Sequence, residues 1–209
     1  MRIDPAGWPF IGGALVLAAV AAFLGSPVLA VAPLVLAAFF VYFFRDPERE
    51  VNRTPGAVLS PADGRIMVAG APSGQKFPEG RWQQITIFLS PTNVHVNRMP
   101  VGGRVTKVVY HPGRFLPAYK TEAGDLNEYT EVWVDHGGQT IIFRQIVGIL
   151  ARRIVCRAKV GDQVQAGDRF GVMKFGSRMD IFLPVTATIT ARVGDTVEAA
   201  TTVLATLQS

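Results

Sequence analysis

The sequence is short of cysteine, histidine and, over one long stretch, of charge. A single Cys156 among 209 residues excludes an intramolecular disulfide and cannot build a zinc site by itself; it reads as a packed strand residue. The three histidines, His95, His111 and His136, form no ligand-spaced cluster, so no metal is expected. Charged residues make up 18% of the chain against 49% hydrophobic, and the shortage is local. From Pro5 to Phe44 there is no Asp, Glu, Lys, Arg or His. Arg2 and Asp4 cancel, so the net charge of +5 lies wholly beyond that run. Despite a sequence pI of about 9.7, there is no recognisable nucleic-acid motif and no long basic run, which argues against a nucleic-acid partner. A basic domain beside an apolar segment suits an anionic lipid surface instead, where each nearby Lys or Arg contributes about 1 kcal/mol.

Gly25-Ser26-Pro27 is a turn signal inside the apolar run. It leaves Trp8–Leu24 and Val28–Phe44, 17 residues each. As helices they would reach roughly 25 Å, slightly short of a ~30 Å hydrocarbon core. Two arrangements fit: a thin hairpin of two spanning helices, or a re-entrant pair dipping into one leaflet. In either, both ends emerge on the same side, with Trp8 and Tyr42 at interfacial depth. A cleaved signal peptide fits poorly, because a second apolar helix follows Val28-x-Ala30 at once. Counting only Lys and Arg, the flank Arg45–Arg53 places the following domain on the cytoplasmic face of the cell membrane. The expected division is a membrane-associated helical hairpin over 1–44 and a β-rich catalytic domain over 45–209.

Beyond Arg53 the pattern becomes short β-like runs separated by Gly, Pro and Asp. Strands are expected over Ile85–Leu89, Arg104–Tyr110, Thr130–Val134, Thr140–Val147, Arg152–Val160 and Thr186–Val193. Val160-Gly-Asp-Gln-Val-Gln-Ala166 recurs as Val193-Gly-Asp-Thr-Val-Glu-Ala199. Each Gly-Asp marks a tight turn, since Gly tolerates positive φ and Asp bonds its own backbone. This turn resembles those of biotinyl and lipoyl carrier domains, which are sandwiches of two similar halves. The fold class is therefore mostly β: a sandwich-like β domain with a biotinyl/lipoyl-like half, preceded by an apolar two-helix N-terminal hairpin. His111–Glu128 is long for a connection without periodicity, and such loops are often functional. Its Phe115, Leu116 and Tyr119 can touch lipid, cover a pocket or pack on the domain's own surface.

Two residues near the C-terminus compete as the chemical centre. Met173-Lys174 between Gly-Asp turns is close to a biotin-carrier arrangement, with the lysine acylated at a hairpin tip. A membrane-anchored adaptor with a lipoyl-like domain is a related reading, but its long helical hairpin is missing. Gly176-Ser177 offers another chemistry. In a strained turn the serine hydroxyl can attack the Gly176 carbonyl, because glycine leaves that approach open. The resulting ester is lost by β-elimination, and hydrolysis of the dehydroalanine leaves a pyruvoyl group at residue 177 and ammonia.

"LSPADG" (Leu59–Gly64), "FLSPTNVHVNRMPVGGRV" (Phe88–Val105), "NEYTEVWV" (Asn127–Val134) and "KFGSRMDIFLP" (Lys174–Pro184), preceded by "FFRDPERE" (Phe43–Glu50), resemble the motifs of phosphatidylserine decarboxylases, of the short bacterial and archaeal branch. The resemblance covers nearly everything from Phe43 onward. It implies a pyruvoyl-dependent enzyme that cleaves itself between 176 and 177 and converts phosphatidylserine to phosphatidylethanolamine and CO₂ in phospholipid biosynthesis. By the same resemblance Ser177 becomes the pyruvoyl group, Gly176 the new C-terminus, Asp63 the acidic partner and His95 the motif histidine. A second motif histidine of the longer enzymes corresponds here to Arg98, which stays protonated and cannot act as a base. Either His95 performs both proton transfers, or His111 or His136 substitutes. Arg98 anchors the lipid phosphate or substrate carboxylate, or faces water. Neither metal nor pyridoxal phosphate is implied, since the pyruvoyl carbonyl supplies the electron sink. The implied partners are the phospholipid, the membrane and the chain's own two fragments, as a heterodimer alone or within a higher oligomer. Arg144, Arg152, Arg153, Arg157 and Lys159 are candidates to face the anionic surface, to split over two strand faces, or to form a merely solvated edge.

Overall fold

The computed structural model describes residues 2–74, 76–149, 154–174 and 176–208. The chain divides into two compact units, Met1–Glu48 and Arg49–Ser209. In the first, helices α1 (Trp8–Phe23) and α2 (Pro27–Phe43) are joined through Gly25 at φ +76°. Small side chains meet between them: Ala14, Ala18, Ala30 and Ala37 are buried with Ile11. Leu15, Val16, Leu17, Val20, Val31, Val35 and Phe39 point outward and are exposed. A helix pair apolar on every face suits lipid better than water. Pro5–Phe23 is long and apolar enough to cross a membrane, while Pro27–Phe43 is shorter. The two ends of the hairpin lie together, as expected. Arg2–Ile3 pairs with Arg45–Asp46, and the Asp4 N–H donates to the Phe44 carbonyl at 2.9 Å. Gly7 is required there, because a Cβ would lie 2.5 Å from the Phe44 ring.

The second unit is β. Its main sheet is antiparallel, in the order Gln163–Val164, Gly103–His111, Tyr129–His136, Gln139–Ile146, Ser177–Pro184, Trp82–Leu89, Gly64–Gly70, Thr196–Val197. One three-stranded sheet joins Ile154–Cys156, Arg169–Met173 and Val96–Arg98; another joins Thr188–Ile189, Val203–Thr206 and Ala57–Leu59. The expectation of a mostly β fold after a helical hairpin holds, and four of the expected strands lie in the main sheet. The expected Arg152–Val160 strand reduces to Ile154–Cys156, with Arg152 and Arg153 outside the described residues. Thr186–Val193 reduces to Thr188–Ile189.

The sequence repeat is also a structural one. Gly161 and Gly194 have φ of +96° and +98°. Asp162 accepts from the Lys159 N–H at 2.9 Å, and Asp195 from the Arg192 N–H at 2.8 Å. Each turn then launches a two-residue strand onto an opposite edge of the main sheet, beside Gly103–His111 in one case and Gly64–Gly70 in the other. Two similar halves thus close the two edges of one sheet.

Strand alternation gives the main sheet two different faces. Ile85, Ile87, Val132, Val134, Ile141, Phe143, Met179, Ile181 and Leu183 point inward and form the core with Val58, Met99, Phe170 and Leu204. The other face is polar yet buried. Arg178 and Asp180, each 2% exposed, form a two-point ion pair at 2.7 and 2.9 Å, and Thr86 donates to Asp180 at 2.8 Å. Arg144 bonds Glu131 and the Lys76 carbonyl, both at 2.6 Å. The loop carbonyls of Lys120 and Thr121 lie against Arg178, so the long connection after His111 packs over this face.

Removing one member of a buried ion pair leaves an uncompensated charge. Asp180→Ala is expected to destabilise the second unit by about 3–5 kcal/mol, read as a lowered urea midpoint. A midpoint within error of wild type would mean that the loop carbonyls satisfy Arg178 unaided.

Candidate functional site

Gly176 and Ser177 sit where the chain passes from one sheet to another. Arg169–Met173 belongs to the sheet of Val96–Arg98, whereas Ser177–Pro184 is an interior strand of the main sheet. These strands do not pair with each other, so Lys174 is not at a hairpin tip, as a biotin attachment site would require. It is half-buried. Gly176 has φ +69°, a left-handed conformation that L side chains rarely adopt. Ser177 then starts the strand, opposite Leu89. It is 0% exposed, and among the described residues its Oγ has no hydrogen-bond partner. A buried polar atom left in this state requires an explanation.

His95 stands immediately before the strand Val96–Arg98. Its carbonyl accepts from the Met173 N–H at 3.2 Å, and Val96 is in register with Val172. The histidine is therefore tied to the strand that leads directly into Gly176-Ser177. Its ring is buried, with Nδ1 2.9 Å from the Asn93 carbonyl. A carbonyl only accepts, so the proton of the neutral ring is on Nδ1 and the lone pair on Nε2. Two residues on, Asn97 Oδ1 accepts from Gln145 Nε2 of the main sheet at 2.8 Å. Gln145 is opposite Met179, which shares the inward face with Ser177. That bond brings the face of the small sheet onto the face that carries the serine. Gly171 makes room, since a Cβ there would lie 2.6 Å from Gln145 Nε2.

Asp63 and Arg98 are neighbours through the backbone. The Arg98 N–H donates to the Pro61 carbonyl at 2.9 Å, and Ser60 Oγ donates to the Ala62 carbonyl at 2.6 Å, closing the Ser-Pro-Ala-Asp turn. The Asp63 carboxylate accepts from Arg49 at 2.6 Å and from the Ala199 N–H at 2.8 Å. Arg98 is buried and donates to the Gly167 carbonyl at 3.2 Å, so the alternative that it faces water is wrong. The exposed reading of Arg144 is corrected too: the Glu131 carboxylate holds it under the loop.

The other two histidines are placed elsewhere. His111 is opposite Tyr129, which is opposite Ile146, which is opposite Arg178. His111 stacks on Tyr129 at 4.3 Å, on the outward face with Arg178, while Ser177 points inward. Burial, more than its charged neighbours, lowers its pKa. His136 lies at the far end of the Tyr129–His136 strand, roughly 20 Å along it at ~3.4 Å per residue, with Nδ1 2.6 Å from the Gly102 carbonyl. Among the described residues no group of three or more His, Cys, Asp or Glu is placed to hold a metal ion.

Asn97, Gln145 and Gly171 escape sequence reasoning. Their only local signal is that Asn97 lies in the Phe88–Val105 motif, two residues beyond His95, and the contact with Gln145 joins positions 48 residues apart.

Residues 36–205 match the family model described as phosphatidylserine decarboxylase. A phosphatidylserine decarboxylase proenzyme of Desulfotalea psychrophila is 43% identical over 199 residues, covering 95% of this chain and 93% of that protein. One of Symbiobacterium thermophilum is also 43% identical over 199 residues, with 95% and 92% covered. One of Nitrosomonas europaea is 40% identical over 200 residues, again with 95% and 92% covered.

Among the described residues, the two chain neighbours aside, no atom lies within 4 Å of a Cβ built on Gly176, so a side chain there meets conformational strain but no clash with them. Gly176→Ala is expected to fold and to lose about 1–2 kcal/mol, measured by urea denaturation in the uncut Ser177→Ala background. An unchanged stability would show that the left-handed turn is not held in solution.

Proposed function

The chain belongs to the phosphatidylserine decarboxylase family, and from that premise we propose that it converts phosphatidylserine to phosphatidylethanolamine and CO₂ after cutting itself between Gly176 and Ser177. The observation that carries this reading is the Ser177 hydroxyl, wholly buried without a described partner directly after a left-handed glycine. A hydroxyl in that state has lost its hydration and gained nothing from the fold. Its nearest reactive carbonyl along the chain is that of Gly176.

In the proposed sequence, Ser177 Oγ attacks the Gly176 carbonyl carbon while His95 Nε2 takes the hydroxyl proton. The C–N bond breaks, His95 returns the proton to nitrogen, and an ester joins the two halves. His95 then removes the Ser177 α-proton. The Cα=Cβ bond forms as the Cβ–O bond breaks, releasing the Gly176 carboxylate. One water replaces the amine nitrogen, which departs as ammonia, and residue 177 is left as a ketone. The residues present fit such a group: its position is buried and follows a strand held on both sides. A pyruvoyl group there supplies an electron sink for the bond pair freed as CO₂ leaves. His95 is the proton donor to the substrate carbon and the residue given both steps, a choice supported by the placement of His111 and His136 on other parts of the sheet. Arg98 anchors the substrate's phosphate or carboxylate. Asp63 is the acidic partner in these proton transfers, held in place by Arg49 and the Ala199 N–H, while the Asn93 carbonyl orients His95.

The hairpin over 1–44 holds the enzyme at the cell membrane, with the β-rich domain over 45–209 on the cytoplasmic face. Its apolar outer surface and the arginines Arg45, Arg49 and Arg53 that follow support that placement. Fragments 1–176 and 177–209 remain one heterodimer, because Ser177–Pro184 pairs with a strand on each side.

Intact-mass analysis of the purified protein is expected to give two fragments, the smaller one starting with a ketone, and Ser177→Ala one uncut chain. A wild-type chain that turns over lipid with residue 177 still serine would end this reading. His95→Ala is expected to lose cleavage, turnover or both. Normal rates in both assays would remove His95 from the mechanism.

A further inference from the structure

Asn127, which opens the Asn-Glu-Tyr-Thr motif, and Gly148 have no part in the chemistry above, yet both converge on the bond it breaks. A Cβ built on Gly148 would lie 2.1 Å from the Gly176 carbonyl oxygen, 3.1 Å from its carbon and 3.3 Å from Ala118 Cβ. The carbonyl that Ser177 attacks therefore rests against a residue without a side chain, with Ala118 alongside. These two walls come from separate segments, the connection after His111 and the end of the Gln139–Ile146 strand. Asn127, 1% exposed, joins them. Its Oδ1 accepts from the Leu116 N–H, and its Nδ2 donates to the carbonyls of Leu116 and Val147, each at 2.8 Å. One amide thus fixes the chain two residues before Ala118 and one before Gly148, with both of its donor hydrogens and its acceptor engaged.

Such a fixture answers a specific need. Glycine at 176 permits the turn but leaves the peptide plane free to rotate. Attack demands a carbonyl held at one angle to the incoming oxygen, and that restraint must come from outside Gly176. We propose that Gly148, Ala118 and Asn127 form a slot that orients the Gly176 carbonyl for attack by Ser177 Oγ, and that Gly148 and Asn127 are positioning residues for self-cleavage. This rests on the reading of Gly176-Ser177 as the cleavage point.

The test uses full-length protein and follows fragment formation by intact mass, with and without hydroxylamine, beside thermal melting. Hydroxylamine captures the ester as a Gly176 hydroxamate, so it reports carbonyl attack separately from the later elimination. Gly148→Ala is expected to stay folded but melt below uncut Ser177→Ala, to cleave on the order of a hundredfold more slowly than wild type, and to yield no early hydroxamate. Asn127→Asp sets an acceptor against the Leu116 and Val147 carbonyls and is expected to slow the same step. Adding Ala118→Gly to Gly148→Ala gives the carbonyl room and is expected to restore part of the rate. Cleavage of Gly148→Ala at the wild-type rate would overturn the slot, as would hydroxamate release equal to wild type. So would melting and cleavage lost together with no recovery in the double variant. A wild-type chain that never cleaves sinks the reading of Gly176-Ser177 and the slot with it, whereas equal cleavage of both chains sinks the slot alone.

Discussion

The pairing of Ser177–Pro184 on both edges constrains everything around the site. Leu89 and Trp82 bound its register on one side, and Ile146 and Ile142 on the other. An interior strand cannot slide by one residue without turning its whole inward set outward, so the serine's direction is decided by Met179, Ile181 and Leu183 packing in the core. The preceding residues must cross from the neighbouring sheet within a very short span, from Met173 to Ser177. That is where a left-handed glycine becomes necessary, and where a backbone carbonyl is presented beside a buried hydroxyl.

The same strand separates two electrostatic environments. Outward it carries Arg178 and Asp180 among ion pairs covered by loops. On the inward side, Asn97 and Gln145, which bond each other, are neutral. The ion pairs described on the main sheet lie on the face opposite the one Ser177 points to.

Much of this was legible before the fold was known. Alternating Val, Ile and Thr reveal strands such as Tyr129–His136 because one face is core and the other is not. The paired Gly-Asp turns reveal the two-fold repetition. Ser177–Pro184 is not legible as a strand, since Arg178 and Asp180 interrupt its apolar pattern with charges that pair with each other under a loop. Arg144 misleads for the same reason: its face is settled by Glu131 on the adjacent strand. At the site, Gly176 and Ser177 announce themselves by chemistry and by motif. Gly148 does not, and Asn127 shows only as the first residue of a motif, because the role proposed for them lies in a carbonyl and a loop that only folding brings beside them.

The hairpin and the reacting residue fall on opposite sides of the proposed cut. Once the bond is gone, as that reading requires, the thirty-three residues from 177 to 209 are kept by hydrogen bonds and core contacts alone. A matured molecule that unfolds no longer holds both halves of its own folding instructions in one chain. Each copy therefore has a single assembly, made before it is cut, and its working lifetime is a rate of coming apart and not an equilibrium it can revisit.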